Sequence, residues 1–176
     1  MESDSRNPLE QYRAAIPYPP LRVAEKNLKY AQILHNDFAG QCGEATAVMQ
    51  YEFQSFALVD QEKLATALHY IGIVEMTHLE ILGKLITLLG GVPRYTGFSR
   101  GRPYYWTAQT VDYTLKPREL LINNLYGERV AIANYRQSMA WINDDNINAV
   151  LRRIILDEEH HIELFTSLLA EYLPNE

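Results

Sequence analysis

LDEEHHIELF, Leu156–Phe165, sets four carboxylates and two histidines inside an otherwise apolar stretch of a 176-residue chain. Each residue of a helix turns the chain by about 100°. With Glu158 as reference, the inward arc holds Leu151, Ile154, Ile155, His161, Ile162, Phe165 and Leu168. Glu158 and His161 are its polar members. Asp157 falls at the edge of that arc, whereas Glu159, His160 and Glu163 turn outward. The stretch therefore predicts a helix that carries one Glu-x-x-His pair into a core.

Three more helical segments lead up to it. Helical character runs from Asn27 to about Leu58 and from Gln61 to Leu89, where Gly90, Gly91 and Pro93 end it. Pro117 opens a third helix at its first turn, running to about Ile142. The fourth follows the turn residues Asn143 to Asn146 and ends before Pro174. Residues 92–116 are rich in aromatic rings, with Gly97, Gly101, Pro93 and Pro103, and read as a crossover packed against the rest. No strand alternation is long enough to compete. The predicted fold class is all-α, a four-helix bundle with a long crossover between helices two and three. Residues 1–26, with the proline-rich IPYPPL, read as an extended arm, and residues 27–176 as the bundle.

Composition narrows the function. At 47% hydrophobic, one domain of this length can bury a core. A single cysteine, Cys42, excludes a disulfide framework and a four-cysteine metal site within the chain, and fits a cytoplasmic setting. The polar, acidic start does not resemble a signal peptide, and no apolar run approaches the roughly 20 residues a membrane span needs. A formal charge of -6 without a basic cluster argues against nucleic acid.

The other helices repeat the pattern. With Glu75 as reference, helix two turns His78 inward among Leu68, Ile71, Leu82 and Leu85. Helix one aligns Glu44 with Val48 and Tyr51, and helix three aligns Glu128 with Leu121, Ile132 and Tyr135. Four facing carboxylates would repel, and each costs several kcal/mol to bury unpaired. No lysine or arginine lies near the acids on these arcs, so two divalent cations are the economical counter-charge. Chance would give about 0.4 Glu-x-x-His matches in such a composition, whereas two occur on separate apolar faces. Their spacing also repeats: 31 residues separate Glu44 from Glu75 and 30 separate Glu128 from Glu158.

On these residues the chain resembles the ferritin-like di-iron and di-manganese carboxylate proteins, among them bacterioferritin, rubrerythrin and manganese catalase. The likeness spans about Asn27 to Leu173, and ILDEEHHIEL is especially similar to the fourth helix of bacterioferritin. It implies two metal ions, iron or manganese, bridged by Glu75 and Glu158; Glu44 with His78 would complete one and Glu128 with His161 the other. Asp157 would accept the free ring N–H of a metal-bound histidine on helix two. Tyr51 and Tyr135 are placed to hydrogen-bond a ligand or supply an electron, and the position of Tyr51 matches a tyrosine of bacterioferritin and rubrerythrin. Met76 matches bacterioferritin's haem methionine, but a methionine beside a helical core more often packs, and haem is not expected. His35, His69 and His160 read as surface or interface residues, and Cys42 as a small apolar residue turned away from the site.

The resemblance implies oxidoreductase chemistry on peroxide or dioxygen, with Glu75, Glu158 and Tyr51 as catalytic candidates. A catalase needs no outside electron donor; a peroxidase does. The missing cysteines, and Leu125 where rubrerythrin has a further carboxylate, separate the chain from rubrerythrin. VEMTHLEILGKLI, Val74–Ile86, together with the arm, resembles small manganese catalase-like proteins associated with spores. The preferred expectation is catalase- or peroxidase-like action on hydrogen peroxide, in a homo-oligomer. The alternatives are a bacterioferritin-like ferroxidase or iron store, and a structural coat or scaffold protein with a stabilising metal site.

Overall fold

Asn27 closes the N-terminus of the first helix, its Oδ1 accepting the backbone N–H of Lys29 and Tyr30. In the computed structural model, which describes residues 7–172, five α-helices build the four rods of the bundle. These are α1 (Leu28–Ala39), α2 (Glu44–Ala57), α3 (Glu62–Leu88), α4 (Pro117–Trp141) and α5 (Asp145–Ala170). Residues 1–6 of the expected arm, and Pro174, lie outside the described part. Asp144 caps α5 by accepting from Asn146 and Ile147, and its other oxygen takes the N–H of Ala24 at 2.7 Å. Gly90 ends the second rod with a φ of 87°, in the region that favours glycine.

The first rod differs from the expected single helix. It breaks at Gly40–Gly43, and both glycines are required by close backbone packing. A Cβ on Gly40 would lie 2.4 Å from the Asn36 carbonyl oxygen, and one on Gly43 would lie 2.6 Å from that of Asp37. The break has a use: it makes Glu44 the first residue of α2, where the helix N-terminus favours a negative charge.

The crossover also holds more order than expected. Thr96–Ser99 (β1) and Arg102–Tyr105 (β2) pair antiparallel, from Thr96 opposite Tyr105 to Ser99 opposite Arg102. Arg100 and Gly101, both at positive φ, form the two-residue turn. Four-residue strands are too short to register as alternation. The hairpin lies on α1, where Asn36 Oδ1 accepts the Phe98 N–H at 2.6 Å; just after it, Trp106 Nε1 donates to Thr46 Oγ1 of α2 at 2.9 Å. His35, expected at the surface or an interface, is buried beneath the hairpin between Phe38 and Phe98.

Within the bundle α2 packs chiefly on α3, and α4 on α5. The core divides into two apolar clusters. One gathers Leu34, Leu82, Ile86, Leu151 and Ile154; the other gathers Leu64, Leu68, Leu121 and Phe165. Glu75 and His78 sit mid-way along α3, and Glu158 and His161 mid-way along α5, so the polar residues occupy the layer between the clusters.

Candidate metal centre

Glu44, Glu75, His78, Glu128, Glu158 and His161 converge in that layer, each at most 3% exposed. The helical period explains the convergence, since residues i and i+3 share one face. Their ligand atoms form two groups, Glu44–Glu75–His78–Glu158 and Glu75–Glu128–Glu158–His161, each within 4.8 Å. Glu75 and Glu158 belong to both. Glu75 Oε2 lies 2.9 Å from His78 Nδ1 while its Oε1 lies 2.9 Å from His161 Nδ1. Glu158 spans the same pair in the opposite sense, Oε1 at 3.2 Å from His78 and Oε2 at 3.2 Å from His161. Glu44 and Glu128 stand at the two ends, 3.7 Å from His78 and 3.9 Å from His161.

These residues fit a dinuclear manganese or iron site. Glu75 Oε1 and Glu158 Oε1 are buried with no hydrogen-bond partner, a costly arrangement that a bound cation would relieve. Mixed carboxylate and imidazole donors suit such ions. The tautomer agrees as well. His161 Nε2 is 3.0 Å from the Tyr12 carbonyl oxygen, which can only accept, so Nε2 carries a proton and Nδ1 is the nitrogen turned toward the acids, where a metal would sit. His78 Nε2 meets Asp157 Oδ2 at 3.0 Å.

Burial together with the charges of Glu75 and Glu158 pushes the Glu44 and Glu128 carboxyls well above their ordinary range. Burial also works against charge on Glu75, but His161 and His78 outweigh it and hold that carboxyl low. Both imidazoles move the other way. Burial disfavours their charged forms, yet the surrounding carboxylates, Glu158 for His78 and Glu75 for His161, raise them well above the usual histidine value.

The tyrosines cross over. Tyr51 on α2 donates to Glu128 Oε1 on α4 at 2.5 Å, and Tyr135 on α4 donates to Glu44 Oε1 on α2. A cavity of about 330 Å³ leads inward between α2 and α4, touching Glu44, Glu75, Glu128, Glu158 and Tyr51. Tyr126 and Asn123 line its exposed side. Cys42, expected to turn away, lines it too, because the break after α1 carries the loop onto the mouth.

Residues 14–97 match the family described as manganese containing catalase. The match takes in Glu44, Glu75 and His78 and stops before the second half of the cluster. Across a longer span, the chain is 30% identical over 169 residues to a probable manganese catalase of Clostridium acetobutylicum, covering 85% of this chain and 74% of that protein. This chain belongs to the manganese-containing catalase family. Among solved structures, it is similar to KatB, a manganese catalase from Anabaena, with a TM-score of 0.81 and 25% identity over 93% of this chain and 84% of that one. A bacterioferritin of Rhodobacter capsulatus aligns with a TM-score of 0.65 at 22% identity, over 84% and 88% of the two chains, a likeness of fold alone.

Not every group around the centre of this catalase-family chain could be read from helical angles. Asp157 is where its angle put it, fully buried with Oδ2 3.0 Å from His78 Nε2, as expected of a partner for a helix-two histidine. Its other neighbours, Tyr18 and Arg153, carry no signal in helical spacing. Tyr18 sits in a segment without helical period, and Arg153 projects from the far side of α5. His69 and His160 lie away from the cluster, beside Glu52 and Glu163 respectively. Met76 is half exposed on the outer face.

Proposed function

We propose that this protein acts on hydrogen peroxide as a catalase with two manganese or iron ions. One observation carries the reading: the two groups that share Glu75 and Glu158 lie at the inner end of a cavity a small molecule can enter. In this reading Glu75 and Glu158 would be shared between the two ions, Glu44 and His78 would hold one, and Glu128 and His161 would hold the other. When bound, the pair supplies two redox equivalents, so that one peroxide is reduced to water and a second is oxidised to dioxygen without an outside donor.

The chain's own residues hold and orient the site. Tyr51 and Tyr135 hold the terminal carboxylates by donating to them. Tyr51 is the catalytic tyrosine of the two, because the cavity reaches it while Tyr135 lies behind Glu44. Burial, reinforced by the Glu128 charge, keeps its phenol protonated far above the usual range; that one proton goes to Glu128, so the hydroxyl meets an incoming peroxide O–H through its oxygen, as an acceptor. Asp157 and the Tyr12 carbonyl keep the imidazole protons on the outer nitrogens.

A cytoplasmic homo-oligomer belongs to the same reading. Among the described residues no helix is long and apolar enough to cross a membrane, and Met49, Phe56 and Met76 expose apolar surface on the α2 and α3 side that a second copy would cover.

The test is oxygen evolution. Protein loaded with manganese or iron is expected to release dioxygen from hydrogen peroxide with no reductant present, and Glu75→Ala is expected to abolish it. No oxygen from either metal form would overturn the assignment.

A further inference from the structure

The outer nitrogens of both site histidines end at the same short segment, residues 11–18 of the arm. His161 Nε2 donates to the Tyr12 carbonyl directly. His78 reaches the segment through Asp157, whose two oxygens are both taken by it: Oδ1 accepts the Ala14 N–H at 2.7 Å, and Oδ2 accepts the Tyr18 hydroxyl at 2.5 Å. Arg153 fastens the segment from below, donating to the carbonyls of Ala14 (2.8 Å) and Ile16, with its guanidinium 4.3 Å from the centre of the Tyr18 ring. Tyr12 stacks on Tyr70 of α3 at 5.0 Å. The segment leaves a 3-10 turn, Pro8–Gln11, where His160 Nε2 also donates to the Gln11 carbonyl at 3.0 Å, and beyond that turn it has no helix or sheet pairing.

We propose that residues 11–18 form a clasp whose docking on α3 and α5 fixes the orientation of His78 and His161, so that clasp closure and metal binding stabilise one another. The proposal rests on the reading of these histidines as metal ligands. Partners on the far nitrogen of a metal-bound imidazole set its tautomer and ring angle, and losing one typically weakens metal binding by roughly 10–100-fold. Tyr18 and Asp157 are accordingly positioning residues: neither touches the proposed substrate, and both act through His78. Binding linkage is reciprocal, so metal must favour the closed clasp by the factor by which the closed clasp favours metal.

The Arg13–Ala14 bond offers a direct readout, because Ala14 is bonded through both its N–H and its carbonyl and cannot enter a protease cleft while docked. Full-length protein is titrated with Mn(II), and tryptic cleavage after Arg13 is timed with and without the metal. Wild type is expected to bind two ions per chain, and cleavage to slow by about tenfold or more on loading. Tyr18→Phe keeps the ring but loses the hydroxyl; it should bind Mn(II) at least about tenfold more weakly and lose most of the protection. A wild type that binds two ions with unchanged cleavage overturns the clasp and leaves the metal site standing, and that comparison holds even if the variant fails to fold. A variant whose two cleavage rates rise together while its isotherm stays unchanged also overturns it, since the arm would then be anchored without being linked. A wild type that takes up neither manganese nor iron overturns the metal site and the clasp with it.

Discussion

Two pairs of residues show how position sets consequence. Tyr51 and Tyr135 are near mirror images, each buried and each donating to a terminal glutamate, so replacing either with phenylalanine should cost about 1–3 kcal/mol through an unsatisfied buried carboxylate. Only Tyr51 faces the cavity. Tyr51→Phe is therefore expected to lower kcat by about tenfold or more, and Tyr135→Phe to lower stability with a much smaller change in kcat; steady-state kinetics beside thermal melts would separate them. Asp37 is a buried acid apart from the cluster, bonded to the Ser138 hydroxyl at 2.6 Å. Burial raises its carboxyl to about 7, with Ser138 opposing the rise. Below its unfolded value both states hold the proton and Asp37 has no effect. Between that value and about 7 the folded state keeps a proton that the unfolded chain releases, so stability falls as pH rises, and the penalty is complete above about 7. Asp37→Asn retains an acceptor for Ser138 and no charge. Its melting temperature should gain on wild type as pH is raised from 5 to 8; a constant difference would show that Asp37 is not buried as a titrating acid.

The α4 helix carries a glycine where helix propensity alone would not choose one. Gly127 lines the cavity next to Glu128, and a Cβ built on it meets nothing within 4 Å. Alanine there should raise stability by about 0.5–1 kcal/mol. Gly127→Phe should fill the mouth, lowering kcat/KM for peroxide by about tenfold or more while metal content stays that of wild type, as metal analysis beside kinetics would show. The inward residues of α2 to α5 were legible in the sequence because a regular helix converts spacing into angle, and Glu-x-x-His on an apolar face has few other readings. What escaped depended on contacts between distant segments. The break at Gly40–Gly43 answers to carbonyls of the preceding turn, the hairpin is too short to show a period, and the burial of His35 is created by Phe98, 63 positions away in the chain. Asp157 could be placed by angle, but its neighbours Ala14 and Tyr18 could not, since the arm has no period to fix which atoms it presents.

At the scale of the whole molecule, metal binding and folding share one set of charges. Ions saturating the site at about 100 times their dissociation constant would add roughly 2.7 kcal/mol, or about 5–10 °C in melting temperature for a chain of this size. Because Glu44 and Glu128 are pushed up by burial and by neighbouring carboxylates, they take up protons readily as pH falls, and each proton must leave for a cation to bind. The gain on adding Mn(II) should therefore shrink as pH is lowered, measured as the melting difference between loaded and chelator-treated protein; a gain independent of pH would contradict the carboxylate cluster as its source. The two sides of the bundle are not alike around this cluster. The arm covers the histidines from the α3 and α5 side, whereas the cavity opens between α2 and α4. Traffic through that doorway would run both ways: peroxide arrives and dioxygen leaves along the same short passage, past Cys42 and Tyr126. The thiol and the phenol at that threshold would meet the oxidant before the metals do, and wear on the enzyme over many turnovers should begin there.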